Sequence, residues 1–185
     1  MSIFSVINSL KSRLDIYKAN KTDESKRRYL RSLGCTIGEG TRFTGRANVG
    51  NDPYLVEIGN NCLISADVSF LCHDGGVKVL NSLNYFNGVK MDKMARIRIG
   101  DNCFLGCGAV IMGGVSIGNN CIIGTRSVVT KSIPDGMVVA GMPAKVICTI
   151  EEYYIKNKDK GLFFPTLDLD GEEKKAYLIE NVPRI

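Results

Sequence analysis

Stepping through the chain in sixes from Ile99 lands on Ile99, Leu105, Ile111, Ile117, Ile123 and Val129, all of them aliphatic. The residue after each is Gly100, Gly106, Met112, Gly118, Gly124 and Thr130. The fifth residue of each hexad is Cys103, Ala109, Val115, Cys121, Ser127 and Ile133, mostly small. With 44% of the chain apolar, six aliphatic positions in one frame arise by chance about once in a hundred, and the glycine phase makes the coincidence rarer. Six is not a helical period and is too short for a hairpin repeat. It is the length of one short strand plus a corner. Three such units close a triangular coil, and coils stack at the strand spacing of about 4.8 Å. The aliphatic residue then points into the prism, the small residue fits beside it near the corner, and glycine or asparagine takes the tight turn, as in Gly118-Asn119-Asn120.

The same frame runs upstream. Ile37, Phe43 and Val49 step by six, a short insertion around Asn51–Leu55 shifts the phase by three, and Ile58, Ile64 and Phe70 resume it. Twelve hexads are visible, enough for four coils, interrupted once briefly and once by the long segment Asp74–Arg98. The expected fold class is all-β: a left-handed parallel β-helix of hexapeptide repeats with short N- and C-terminal helices. Residues 1–34 form an N-terminal helical segment, 35–148 the β-helix with a long loop over 74–98, and 149–185 a C-terminal helical and loop extension. In the first segment Ile3, Phe4, Val6, Ile7, Leu10 and Leu14 fall near one helical face. A second helix is expected from Thr22 or Asp23 to Leu33, with Gly34 as its stop. Two readings of the first helix stand: a cap docked on the end of the core, or an amphipathic segment in weak contact with a membrane surface. In the extension, residues 150–158 read as a charged helix, 161–170 as a loop carrying Leu162, Phe163 and Phe164, and 171–180 as a final helix capped by Asp170.

Composition narrows the function classes. A formal net charge of +5 over 185 residues suits a phosphate-bearing ligand and is too diffuse for a nucleic-acid partner. The seven cysteines are odd in number, contain no C-x-x-C and follow no signal-peptide pattern, so free thiols in a cytoplasmic protein are expected. A single histidine rules out the usual Cys/His zinc spacings, and no metal is expected. No apolar run approaches the roughly 20 residues of a membrane span.

The hexads, Val129-Thr130-Lys131-Ser132-Ile133-Pro134 and Ala140-Gly141-Met142-Pro143-Ala144-Lys145 together resemble the hexapeptide-repeat acyltransferase family over about residues 35–148. Within it the layout is similar to the sugar O-acetyltransferases, including galactoside and maltose acetyltransferases and the enzymes of capsule and O-antigen gene clusters. That resemblance implies a homotrimer, acetyl-CoA as acyl donor lying along the outside of the prism between two subunits, and a histidine general base on the loop before the last coils. It also implies direct acetyl transfer to a hydroxyl of a sugar or of a nucleotide- or lipid-linked saccharide, as in capsule, O-antigen or exopolysaccharide synthesis.

Acyl transfer to a hydroxyl needs a base as the oxygen attacks the thioester. Imidazole titrates near pH 6.5, so its neutral form is available at neutral pH. His73 alone offers this, and it ends the Ile58–Phe70 hexads, where the family places its base. Asp74, Asp92 and Glu57 are the candidate orienting carboxylates, with Asp92 favoured from the resemblance. The resemblance assigns the oxyanion to the backbone N–H of Cys107. It assigns the cofactor's arm to Thr125, its phosphates to Thr130, Lys131 and Lys145, and a flat groove-lining side chain to Phe104. Asn48, Asn84 and Tyr85 are candidate acceptor contacts. Cys107 as a covalent nucleophile is the rival mechanism, and nothing cationic lies near it in sequence to activate the thiol.

Other activities share this fold. A zinc carbonic anhydrase needs three histidines per site. A serine acetyltransferase carries a larger helical N-terminal domain than the roughly 34 residues available here. A streptogramin- or chloramphenicol-type antibiotic acetyltransferase and a non-catalytic β-helix scaffold are the remaining alternatives, the last opposed by His73 and Lys131.

Overall fold

The computed structural model of the chain describes residues 22–183. The face of Ile3–Leu14 expected to be helical lies outside them. The described chain divides into two compact units, one running to Ile150 and one from Glu151.

The first unit opens with helix α1 (Asp23–Ser32). Thr22 caps it: its hydroxyl accepts from Ser25 N–H at 3.1 Å, and Ser25 Oγ accepts from Thr22 N–H at 3.0 Å. Two donors at the helix start are thus satisfied reciprocally. Gly34 ends it with φ +105°, a left-handed conformation that favours glycine.

Short strands then follow in threes: β1 (Thr36–Ile37), β2 (Arg42–Phe43), β3 (Val56–Ile58), β4 (Leu63–Ile64), β5 (Ser69–Leu71), β6 (Ile97–Ile99), β7 (Phe104–Leu105), β8 (Val110–Met112), β9 (Ser116–Ile117), β10 (Ile122–Ile123) and β11 (Val128–Val129). They form three parallel stacks in the orders β1-β3-β6-β9, β2-β4-β7-β10 and β5-β8-β11. The chain visits the three in rotation, which makes a parallel β-helix. The first turn completes its third side with Asn48, bridged to Ser69.

The hexad aliphatics stack in register. Ile37 lies beside Ile58, Ile58 beside Ile99, and Ile99 beside Ile117. Phe43, Ile64, Leu105 and Ile123 form a second column, and Phe70, Ile111 and Val129 a third. These side chains and the small fifth residues, Cys103, Ala109, Val115, Cys121 and Ser127, are all buried. The repeat goes further than its sequence frame: Ile133 bridges Ile117, and β12 (Met137–Gly141) extends the second stack beside β10 before turning back antiparallel as β13 (Ala144–Thr149).

The corner between the first and second stacks is pinned by a ladder. Glu39 N–H donates to Asn60 Oδ1 at 2.9 Å, Asn60 N–H to Asp101 Oδ1 at 2.7 Å, Asp101 N–H to Asn119 Oδ1 at 2.8 Å, and Asn119 N–H to Asp135 Oδ1 at 2.9 Å. The Gly100 corner passes so close to the next coil that a Cβ there would lie 2.7 Å from the Gly118 carbonyl carbon.

At the lower end α1 supplies partners to the exposed edges of β1 and β2. Lys26 Nζ donates to Phe43 O at 2.6 Å, Arg27 Nη1 to Thr41 O at 2.8 Å and Arg31 Nε to Ile37 O at 2.9 Å, while Asp23 accepts from Phe43 N–H at 3.0 Å.

Both departures from the hexad frame leave from the corner between the third and first stacks. One is a single 3-10 turn, Pro53–Leu55. The other, expected as a plain loop, carries a short helix, α2 (Val77–Ser82). Its neck is closed by antiparallel rungs: Asp74 N–H to Lys93 O at 2.9 Å and Ala95 N–H to Cys72 O at 2.8 Å, with His73 bridged to Met94.

In the second unit, α3 (Ile150–Asp159) and α4 (Gly171–Asn181) match the expected helices. Asp170 caps α4, accepting from Glu172 and Glu173 N–H groups at 3.0 and 2.9 Å. Phe163 stacks on Tyr154 with ring centroids 5.8 Å apart.

Candidate active site

His73 stands where β5 leaves its stack and the arm of residues 74–96 begins. Its rung to Met94 fixes the backbone, and Asn51, Asp52, Asp74, Asp92, Lys93 and Met94 are among the residues that line a cleft with it. The imidazole is half exposed, at 46%, while the Asp52 side chain is only 18% exposed. One edge of the imidazole is therefore open to the cleft, and the carboxylate beside it is largely screened from water.

The carboxylate beside the ring is Asp52, whose Oδ2 lies 3.4 Å from Nδ1. This differs from the expectation of Asp92. Asp92 lines the same cleft, on the returning side of the arm, but among the described residues Asp52 and not Asp92 comes within 4.0 Å of a ring nitrogen. The other two sequence candidates are otherwise engaged. Asp74 binds Lys93 Nζ at 2.6 Å and accepts from Gly76 N–H at 2.8 Å, and the Lys93 hydrogen bond, with that of Gly76, holds its carboxyl below the usual range. Glu57 pairs with Arg96 at 3.2 Å. Asp52 was missed because it lies in the three-residue slip of the repeat. The available signal was that both breaks in the hexad frame occur at the same corner of successive coils, the second of them beginning at His73.

The insertion holds Asp52 firmly. Asn48 Oδ1 accepts from Gly50 N–H at 3.0 Å, Leu55 N–H donates to Asp52 O at 3.0 Å, and Tyr54 OH donates to Asp52 Oδ1 at 2.8 Å. Asn48, expected to meet an acceptor, thus braces this loop. Asn84 and Tyr85 lie beyond α2 on the arm. Asn84 accepts from Gly88 N–H at 2.6 Å, Tyr85 is 69% exposed, and neither lines the His73 cleft.

Cys107 and Thr125 occupy a different edge, between the second and third stacks. They are neighbours there: Arg126 N–H donates to Cys107 O at 2.8 Å, and Gly106 lies against Thr125. Among the described residues the N–H groups of Cys107 and Thr125 have no hydrogen-bond partner. Outward-facing free amides of this kind are suited to a developing oxyanion or a carbonyl oxygen. Gly108 N–H donates to Ala66 O, so Cys107 stands level with the entry to β5, whereas His73 follows its exit. His73 and the Cys107 amide therefore lie at opposite edges of one face, and a single chain does not bring them together. Thr130 and Lys131 are exposed just after β11, on the same edge as His73. Phe104 is half-buried on the outer face of the second stack, between Leu63 and Ile122. Lys145 is exposed in β13 opposite Ala140.

The stacked hexads, the cleft around one histidine and the free amides on the neighbouring edge define a class. Residues 96–131 match the family model described as bacterial transferase hexapeptide (six repeats), and the chain belongs to the bacterial hexapeptide-repeat transferases. It is 40% identical over 168 residues, 90% of this chain and 92% of the relative, to protein CapG of Staphylococcus aureus. It is 38% identical over 131 residues to galactoside O-acetyltransferase of Escherichia coli, covering 68% of this chain and 62% of that one. Among solved structures, galactoside acetyltransferase in complex with coenzyme A aligns over 92% of each chain with 27% identity and a TM-score of 0.57. A hexapeptide-repeat-containing acetyltransferase from Vibrio cholerae shares the fold over 81% of this chain and 94% of its own, with 22% identity and a TM-score of 0.58.

Proposed function

We propose that the protein is an acetyl-CoA-dependent sugar O-acetyltransferase working as a homotrimer of left-handed β-helices, with a saccharide of a capsule, O-antigen or exopolysaccharide pathway as acceptor. The observation that carries this reading is the half-open His73 imidazole in a cleft, with a screened carboxylate behind it. The family relationship and the galactoside acetyltransferase relatives support the donor and the acceptor class.

With Nδ1–H turned to Asp52, the other ring nitrogen, Nε2, carries a free lone pair toward the cleft. It takes the proton of the acceptor hydroxyl as that oxygen bonds to the thioester carbonyl carbon. The carbonyl oxygen becomes negative and is met by the free amide of Cys107. Collapse breaks the carbon–sulfur bond, and the departing thiolate takes the proton back from the imidazolium. Because base and amide stand at opposite edges of one face, this reading needs the Cys107 edge of a second copy beside the His73 edge of the first. The half-buried outer face of the third stack, with Leu71, Val110, Met112 and Val128, offers an apolar surface for that contact. Thr125 on the same edge as Cys107 is assigned to the cofactor's arm, and Thr130, Lys131 and Lys145 to its phosphates.

The test is thiol release from acetyl-CoA by purified protein offered a panel of galactosides, glucosides and amino sugars. His73→Ala is expected to lower turnover by about 10²–10⁴-fold. Release at the parental rate would remove His73 as the base.

A further inference from the structure

Tyr54 has no role in the proposed chemistry, yet its position is not that of an ordinary surface tyrosine. It sits in the insertion that breaks the repeat, its ring exposed, with its hydroxyl on Asp52 Oδ1 at 2.8 Å. The opposite oxygen of the same carboxylate faces His73 Nδ1 at 3.4 Å. Its backbone is held from the other side: a Cβ on Gly34 would lie 3.1 Å from Tyr54 Cβ, so the glycine that ends α1 also makes room for Tyr54. The turn starts with Pro53, which presets the backbone of the loop. Tyr54 and His73 thus meet the two oxygens of one carboxylate.

We propose that Tyr54 is a positioning residue for His73, acting through Asp52: its hydroxyl anchors one carboxylate oxygen so that the other selects the Nδ1–H form of the imidazole. The three-residue slip of the repeat is then the device that aims the base. This proposal rests on the reading of His73 as the base only for its consequence in turnover; the state of the ring is measurable without an acceptor.

A carboxylate with both oxygens free to rotate can leave the ring. With Oδ1 tied to Tyr54, rotation about the terminal carbon bond costs a hydrogen bond, so Oδ2 stays facing Nδ1. In water, neutral imidazole prefers the Nε2–H form, which would leave no lone pair for the acceptor on the open edge. Burial of Asp52 behind the ring and its tie to Tyr54 reverse that preference. At 3.4 Å the Nδ1···Oδ2 contact is at the long end of hydrogen-bonding range. The charged groups that also face His73 are Asp74, already neutralised by Lys93, and Asp92 across the cleft; Cys72, buried beneath, has its thiol pushed up by desolvation and stays neutral.

His73 is the only histidine of the chain, so untagged protein labelled with ¹⁵N-histidine reports this one ring without overlap. The parent is expected to show the Nδ1–H tautomer at alkaline pH. Asp52→Ala should restore the Nε2–H form. Asp52→Asn, which removes the charge and keeps the shape, should leave the two neutral tautomers mixed. Tyr54→Phe removes only the hydroxyl; it should admit a measurable share of the Nε2–H form while lowering kcat about 3–10-fold with little change in KM. A changed tautomer with an unmoved KM does not arise from general loosening of a loop. Parental tautomer and kcat in Tyr54→Phe would overturn the proposal, as would a raised KM with the parental tautomer, which would make Tyr54 an acceptor contact. Full activity in His73→Ala would instead remove the base and leave the ring measurement to decide the positioning role.

Discussion

Cysteine is used here as a packing residue, and the thiols differ sharply in what reaches them. Cys35, Cys62, Cys72, Cys103 and Cys121 are buried, Cys148 is partly exposed, and Cys107 is exposed. Cys62, Cys103 and Cys121 turn their Sγ atoms toward the carbonyls of Gly100, Gly118 and Pro134 at 3.1, 3.0 and 3.2 Å, so each occupies the small corner position of its coil and has an acceptor there. A native thiol titration should therefore show one fast group, Cys107, a slower one, Cys148, and five more only after denaturation. Cys107→Ala should keep acetyl transfer, because the proposed reaction uses its amide and not its sulfur; loss of turnover with normal folding would restore the covalent route. Cys35 carries a pH consequence. Burial pushes its thiol from 9.0 up to about 11. The folded state keeps this proton longer than the unfolded chain does, so its contribution is complete below pH 9 and is lost as the pH rises toward 11. Thermal melts across that window should show a declining midpoint, and Cys35→Ala should flatten the decline.

At the level of elements, the ladder along one corner does work that the apolar columns do not. Asn119 accepts from Asp101 N–H and donates through Nδ2 to Asp135 Oδ2 at 3.1 Å. Asn119→Ala removes both links at an exposed site where water replaces them in part, and a cost of about 1 kcal/mol is expected in denaturant unfolding. An unchanged midpoint would show the ladder to be incidental. The same elements show which features the sequence made legible. Ile99 through Val129 were readable because each points at its own copy one coil away, so packing imposes one residue type at one spacing. Helix α1 was readable because Thr22 and Gly34 are chemical boundary marks. The continuation of the second stack through β12 was not, since Met137–Gly141 is held by a hairpin partner and no longer obeys the spacing. Asp52 was not readable either. A slip in the frame announces that chain leaves the corner, but which side chain then faces His73 depends on Pro53, on Gly34 and on a neighbour twenty-one positions ahead. The residues expected around the cofactor are distributed over two edges and two faces, and a linear pattern carries no information on how a second copy would gather them.

For the whole molecule, a parallel coil has an inherent weakness: it has two ends, and each presents strand edges whose amides and carbonyls have no next coil. Here the upper end is closed by the fold-back of β13 on β12, and the lower end by charged side chains of α1 reaching three carbonyls and one amide of the first coil. Because those partners are side chains and not a strand, they satisfy the edge without offering a fresh one. Removing them would turn the bottom of the prism into a template. A Lys26→Ala, Arg27→Ala, Arg31→Ala triple variant should add copies end to end, visible as rising light scattering and growing rods by electron microscopy, with the hexad core still folded. Three cations on a ten-residue helix would then be what separates a discrete enzyme from a filament.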